Sequence, residues 1–131
     1  MNTQILTQTQ VIDHAFFLAI ANEGTTYDVN IDAPVVANGP TYVVGLMTNA
    51  SAIFDLSDNN NIAKHILSYW STFAQNYLGL WVNDGKLYID VAVVTHDKEY
   101  AISLGKAHNQ ISIFDLANFE TIDTGGTGEL A

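Results

Sequence analysis

The chain has 131 residues, 48% hydrophobic and 14% charged, with no cysteine; this balance excludes intrinsic disorder, disulfides and thiolate chemistry, and predicts a real core. Fourteen acidic residues face four lysines (Lys64, Lys86, Lys98, Lys106) and no arginine, for a net charge of −10. Gripping a phosphate backbone needs several Lys or Arg on one face, so direct binding of nucleic acid is excluded as a reading.

Residues 1–10 are polar, with Gln4, Gln8 and Gln10 among threonines, and are expected to fray. The longest apolar run, Ala15 to Ala21, falls well short of the ~20 residues of a membrane span. No basic residue precedes it in Met1-Asn2-Thr3-Gln4, where a secretory signal carries one, so the expected location is a cytoplasm with no membrane association. Val11 to Ala21 reads as a helix closed by Gly24, with a buried strand as the alternative. Tyr27 to Ile31 and Thr41 to Met47 read as strands, separated by a loop holding Pro34 and Asn38-Gly39-Pro40.

From Asn61 to Leu78 the residues Ile62, Ile66, Trp70, Phe73, Ala74 and Tyr77 recur at spacings of three and four, which predicts one helix. Asp58 or Asn59 would cap it, and Gly79 would end it with a positive φ. Asn83-Asp84-Gly85-Lys86 is a tight-turn signal between two apolar runs and predicts a hairpin of strands at Leu78–Val82 and Leu87–Val94. In the second strand Leu87, Ile89, Val91 and Val93 should be the buried face, with Tyr88, Asp90, Ala92 and Val94 on the other. A helix capped by Asp97 should run from Lys98 to His108 and close at Asn109. Gln110 to Leu116, with Ile111 and Ile113 on one face, and Glu120 to Thr124 read as the last strands, before a flexible tail at residues 125–131 that opens with Gly125-Gly126-Thr127-Gly128. The sum is a single α+β domain, an antiparallel-rich sheet with two or three helices.

Catalytic and metal signals are weak. The four histidines, His14, His65, His96 and His108, show no ligand pair at helical spacing, so no metal site and no cofactor is expected. His96, beside Asp97 and within reach of Asp90 in principle, is the one candidate general base, and an exposed loop position explains it more simply. His108 suits the negative end of a helix dipole. The run Asp55 to Asn61 resembles a calcium loop but has Asn60 and Ile66 where that loop needs Gly and Glu. The glycine-rich tail lacks the following helix that a phosphate cradle requires, and no serine sits in a nucleophile motif.

Taken together, Gly79-Leu80-Trp81-Val82, Asp84-Gly85-Lys86-Leu87-Tyr88-Ile89-Asp90-Val91, Asn109-Gln110-Ile111-Ser112-Ile113-Phe114-Asp115-Leu116 and Thr124-Gly125-Gly126 resemble small uncharacterised proteins encoded by bacteriophages and other mobile elements. The resemblance spans about residues 79–126. It implies a setting rather than a mechanism: small acidic proteins of that kind often antagonise host defence.

Three functional expectations follow. The first is a non-catalytic protein-binding module, an inhibitor of a host defence complex in the manner of an anti-CRISPR. Its acidic face, drawn from Asp28, Asp32, Asp55, Asp58, Asp84, Asp90, Asp97 and Glu99, would dock on a basic protein or a nucleoprotein channel, with Trp81 and Tyr88 as aromatic anchors. The second is a small-molecule-sequestering protein with a pocket lined by Trp70, Trp81 and Tyr88 at a homo-oligomer interface. The third is a small enzyme using His96 or His108 with a nearby aspartate.

Overall fold

A computed structural model describes residues 3–129. Along them run α1 (Thr3–Asn22), β1 (Gly24–Asp28), β2 (Ala33–Pro34), β3 (Tyr42–Leu46), β4 (Ala52–Asp55), α2 (Asn59–Ser68), α3 (Trp70–Gln75), β5 (Tyr77–Asn83), β6 (Lys86–Thr95), α4 (Lys98–Ala107), β7 (Ser112–Asp115) and β8 (Glu120–Asp123). This is the single α+β architecture expected, with four helices rather than two or three among the described residues.

The hairpin predicted at Asp84-Gly85 forms the centre. Both turn residues take positive φ, 53° and 73°, as a two-residue turn matched to strand twist requires. It joins β5 and β6 in a register that pairs Trp81 with Tyr88 and Gly79 with Asp90. Every strand pair is antiparallel, in the order β2-β1-β5-β6-β3-β7-β8. The long strand β6 has two partners end to end on its other edge. There β3 pairs with Val91 to Thr95 and β4 with Lys86 to Ile89. Residues 47–51 loop out between them, opposite Asp90, which is left without a ladder partner on that edge.

The helices cover one face of the sheet. Val11, Ile12, Ala15 and Ala19 of α1, Ile62 and Ile66 of α2 and Phe73 of α3 bury against Leu78, Leu80, Leu87, Ile89 and Val91, each of the twelve 5% exposed or less. A smaller core of Val44, Ala101 and Ile113 seats α4 on β3 and β7. Close packing there depends on Gly105, where a Cβ would lie 2.8 Å from Ile113 Cγ2. The alternation read from β6 holds for Leu87, Ile89 and Val91, which are buried as expected, but not beyond them: Val93 is only half-buried, and Ala92, expected on the other face, is 1% exposed.

Several boundaries differ from the sequence reading. The helix expected from Asn61 to Leu78 breaks at Tyr69, and the chain has already become strand at Tyr77. Gly79 therefore caps no helix. A segment that reads as helical gains more by joining the sheet centre, where β1 and β6 bond both its edges. α1 ends through a positive φ of 65° at Glu23, which leaves Gly24 to start β1. The first strand runs from Gly24 to Asp28 rather than from Tyr27 to Ile31, and β2 and β4 were not anticipated. Ile111 was expected beside Ile113, but β7 begins at Ser112 and Ile111 is 59% exposed. α1 begins at Thr3 rather than at Val11.

Candidate ligand pocket

The face turned away from the helices is concave. Alternation places Val43 and Gly45 of β3, Gly79 and Trp81 of β5, Tyr88, Asp90 and Ala92 of β6 and Phe114 of β7 on it, and together they line a pocket of about 480 Å³. That volume lies within the range of small-molecule sites, roughly 300–1,000 Å³.

Small residues make the space. Gly45, Gly79 and Ala92 stand on three neighbouring strands around Asp90. A Cβ at Gly45 would lie 3.0 Å from Asp90 Oδ2, and one at Gly79 would lie 3.3 Å from Ala92 Cβ. Above this floor the sheet curls: the rings of Trp81 and Phe114 meet edge to face with centroids 5.5 Å apart. Trp81 can pack against its cross-strand partner because that partner is Gly24, where a Cβ would come within 2.6 Å of the indole. Phe119 in turn packs edge to face on Phe114.

The chain end supplies another wall. Gly126 N–H donates to Gln110 O and Gly128 N–H to Asn109 O, while the Asn109 side chain bonds the Thr127 hydroxyl and Thr127 N–H. The segment read from sequence as a flexible tail is thereby tied down through Gly128, and Thr127, Gly128 and Glu129 line the pocket. Gly126 is needed for this approach, since a Cβ there would lie 2.4 Å from Gln110 O.

Asp90 lies on the pocket floor and is the one electrostatic anomaly of the concave face. Burial pushes its carboxyl up to about 6, and among the described residues no donor or cation compensates it. The loop opposite, residues 47–51, is braced from two helices. His65 Nε2 of α2 donates to Ala50 O at 2.7 Å, and His108 Nδ1, at the end of α4, accepts from Met47 N–H at 3.1 Å. Two of the four histidines thus position a loop.

The remaining candidates are placed as follows. Trp81 and Tyr88, the expected aromatic anchors, are directly paired and both line the pocket. Trp70 does not join them; it packs against the main core on the opposite face of the sheet. Asp28 accepts from Asn30 N–H, Asp55 pairs with Lys86, Asp58 accepts from Asn61 Nδ2, and Asp97 caps α4 through Tyr100 N–H. Asp84 lies in the hairpin turn and Glu99 in the first turn of α4. Asp55 and Asp84 stand at one end of β6, and Asp97 and Glu99 beyond the other. The ten residues of β6 span roughly 30 Å, so these four do not share one patch. Asp90 leaves the expected acidic face altogether for the pocket.

Asp32 belongs to a cluster the sequence did not foreshadow. Its carboxylate accepts from the buried Tyr27 hydroxyl at 2.7 Å and pairs with His14 Nδ1 at 2.9 Å, which ties α1 to the β1–β2 loop. The Tyr27 bond holds Asp32 below the usual carboxylate range, while burial raises Tyr27. His96 Nδ1 bonds the Pro40 carbonyl, so neither His96 nor His108 has a carboxylate as hydrogen-bond partner among the described residues. Among those residues no group of three or more His, Asp or Glu is arranged to hold a metal ion, and no helix is long and apolar enough to cross a membrane.

Sequence reasoning missed Gly45, Phe114 and the wall formed by the chain end. The available signal was glycine inside two strand patterns, Gly45 and Gly79, which marks close approach or a bulge. Comparison with protein-family models, with curated proteins and with solved structures returns no match.

Proposed function

We propose that this domain binds a small, largely apolar molecule in the half-open concave pocket. The observation that carries the reading is the glycine and alanine floor beneath the Trp81–Phe114 contact, which leaves about 480 Å³ of lined space inside a single chain. Residues filling that face would have cost nothing in the helix-covered cores, which lie on the other side of the sheet. The expected sequestering role is kept, with the site moved from an oligomer interface into one protomer.

Docking of an acidic face on a basic partner, the defence-antagonist reading, rests on the net charge of −10. Its support is thinner, because Asp28, Asp55, Asp58 and Asp97 have local structural partners and the group is spread along the molecule. The mobile-element setting is compatible with either reading.

Titration with a neutral solvatochromic dye tests the pocket. Saturable binding to one site per chain is expected, weakened about tenfold, or about 1.4 kcal/mol, in Thr121→Trp, which fills the rim from an exposed position. Binding that does not saturate, or that Thr121→Trp leaves unchanged, would sink the proposal.

A further inference from the structure

We infer that the ligand is an organic cation, an amine carried on an apolar or aromatic body, and that the Asp90 carboxylate is its counter-ion. The inference rests on the pocket reading above and adds the ligand's charge.

The balance of charge on the lining is one-sided. Asp90 of β6 and Glu129 at the rim are its carboxylates and Tyr88 its phenol; no Lys, Arg or His is among the described residues that line it. The stretches of β3, β5, β7 and β8 that face the space contribute apolar, amide and hydroxyl groups only. An anionic ligand would leave water with nothing to neutralise it and would meet two like charges, a desolvation loss without Coulombic return. A cation gains on both counts.

Asp90 also lacks what its neighbours have. Asp115, on the same sheet and 8% exposed, accepts from the backbone and side chain of Asn118, and Asp55 has Lys86. Asp90 has neither donor nor cation among the described residues, and burial alone acts on its carboxyl. Near neutral pH it is therefore a desolvated negative charge in search of a partner. Gly45 leaves room for Oδ2 on the neighbouring strand, since any side chain there would meet it at 3.0 Å. The break between β3 and β4 removes the strand that would otherwise run past it. One residue pair along the same face stands the Trp81–Tyr88 pair, whose rings offer apolar surface to the ligand body and quadrupoles that favour a nearby ammonium.

Calorimetric titration of the intact chain with tryptamine, its neutral isostere tryptophol and the anionic indole-3-propionate tests this. Near pH 7, tryptamine should bind about tenfold more tightly than tryptophol, and indole-3-propionate more weakly than either. In Asp90→Asn the ratio of tryptamine to tryptophol affinity should fall to about one. Lowering the pH through about 6 should weaken tryptamine and not tryptophol, because protonating Asp90 removes the ion pair. Equal affinity for tryptamine and tryptophol, or a preference that survives Asp90→Asn, would overturn the cation assignment while leaving the pocket standing. If neither the dye nor any indole binds, the pocket reading falls and this one with it.

Discussion

The rings of Trp81 and Phe114 touch, with centroids 5.5 Å apart, although β6 and β3 lie between their strands. Strands in a flat sheet stand about 4.8 Å apart, so three steps would separate the two backbones by roughly 14 Å. Curling brings the rings together and closes the upper side of the pocket.

Phe114→Ala should remove that closure. An edge-to-face pair contributes about 0.5–1.5 kcal/mol beyond the area it buries, so a loss of about 1–2 kcal/mol is expected in chemical denaturation. Trp81 emission should shift to the red and dye affinity should drop. A variant with native Trp81 emission would mean that the contact does not shield the indole.

Asp90 sets a distinctive dependence of stability on pH. Its carboxyl is raised from 3.8 to about 6 in the folded chain, so the folded state holds this proton more tightly than the unfolded chain does. The sign is the reverse of a salt-bridged aspartate: the stabilisation is complete below the unfolded value and is lost as pH rises through about 6. Asp90→Asn should be the more stable protein near neutral pH, by up to about 3 kcal/mol, with the advantage shrinking towards acid. Paired denaturation curves at the two ends of this range check it. The wild-type-minus-variant difference isolates Asp90 from Asp32 and Asp115, which are lowered and lose stability in the opposite direction.

Gly126→Ala should detach the chain end. With backbone atoms of Asn109 and Gln110 within 2.6 Å of the added Cβ, one of the two segments has to move. Faster amide exchange at Gly126 and Gly128 is expected, with a stability loss of about 1–2 kcal/mol and weaker dye binding. Unchanged exchange at these amides would refute the docking.

His108→Ala leaves Met47 N–H without its acceptor, a loss of about 1 kcal/mol. His65→Ala should release the other end of the loop at Ala50. Both variants should change ligand affinity more than their distance from the pocket would suggest; unaltered affinity in both would show that the 47–51 loop does not shape the site.

What could be read from the sequence was local. The Asp84-Gly85 turn, the Asp97 cap and the alternation of Leu87, Ile89 and Val91 each depend on neighbours within a few residues, and each is present. The Asn61–Leu78 periodicity failed because Tyr77, Leu78 and Leu80 satisfy a strand as well as a helix, and only the partners at β1 and β6 decide between them. The pocket was hidden for a similar reason. Alternation assigned Tyr88, Asp90 and Ala92 to one face, but not that the face is concave, nor that Gly45 and Gly79 leave it empty. The histidines were weighed by metal-ligand spacing, whereas His65 and His108 act on a loop far away in the chain. Asp84 and Asp97 take the turn and cap positions read for them, whereas Asp58, expected to cap α2 through backbone N–H groups, makes no side-chain cap bond and accepts from Asn61 Nδ2 instead; such local duties are what scatter the acidic residues.

The split partnership along β6 separates two requirements that a continuous strand would join. Because β3 and β4 each hold their own stretch of the ladder, the five residues between them carry no sheet register. Of these five, Met47 lines the pocket while Ala50 is buried in the main core, so replacements at Met47 that leave Ala50 in place can remodel the space beside Asp90 with both ladders intact, a route to retuning which ligand the carboxylate meets.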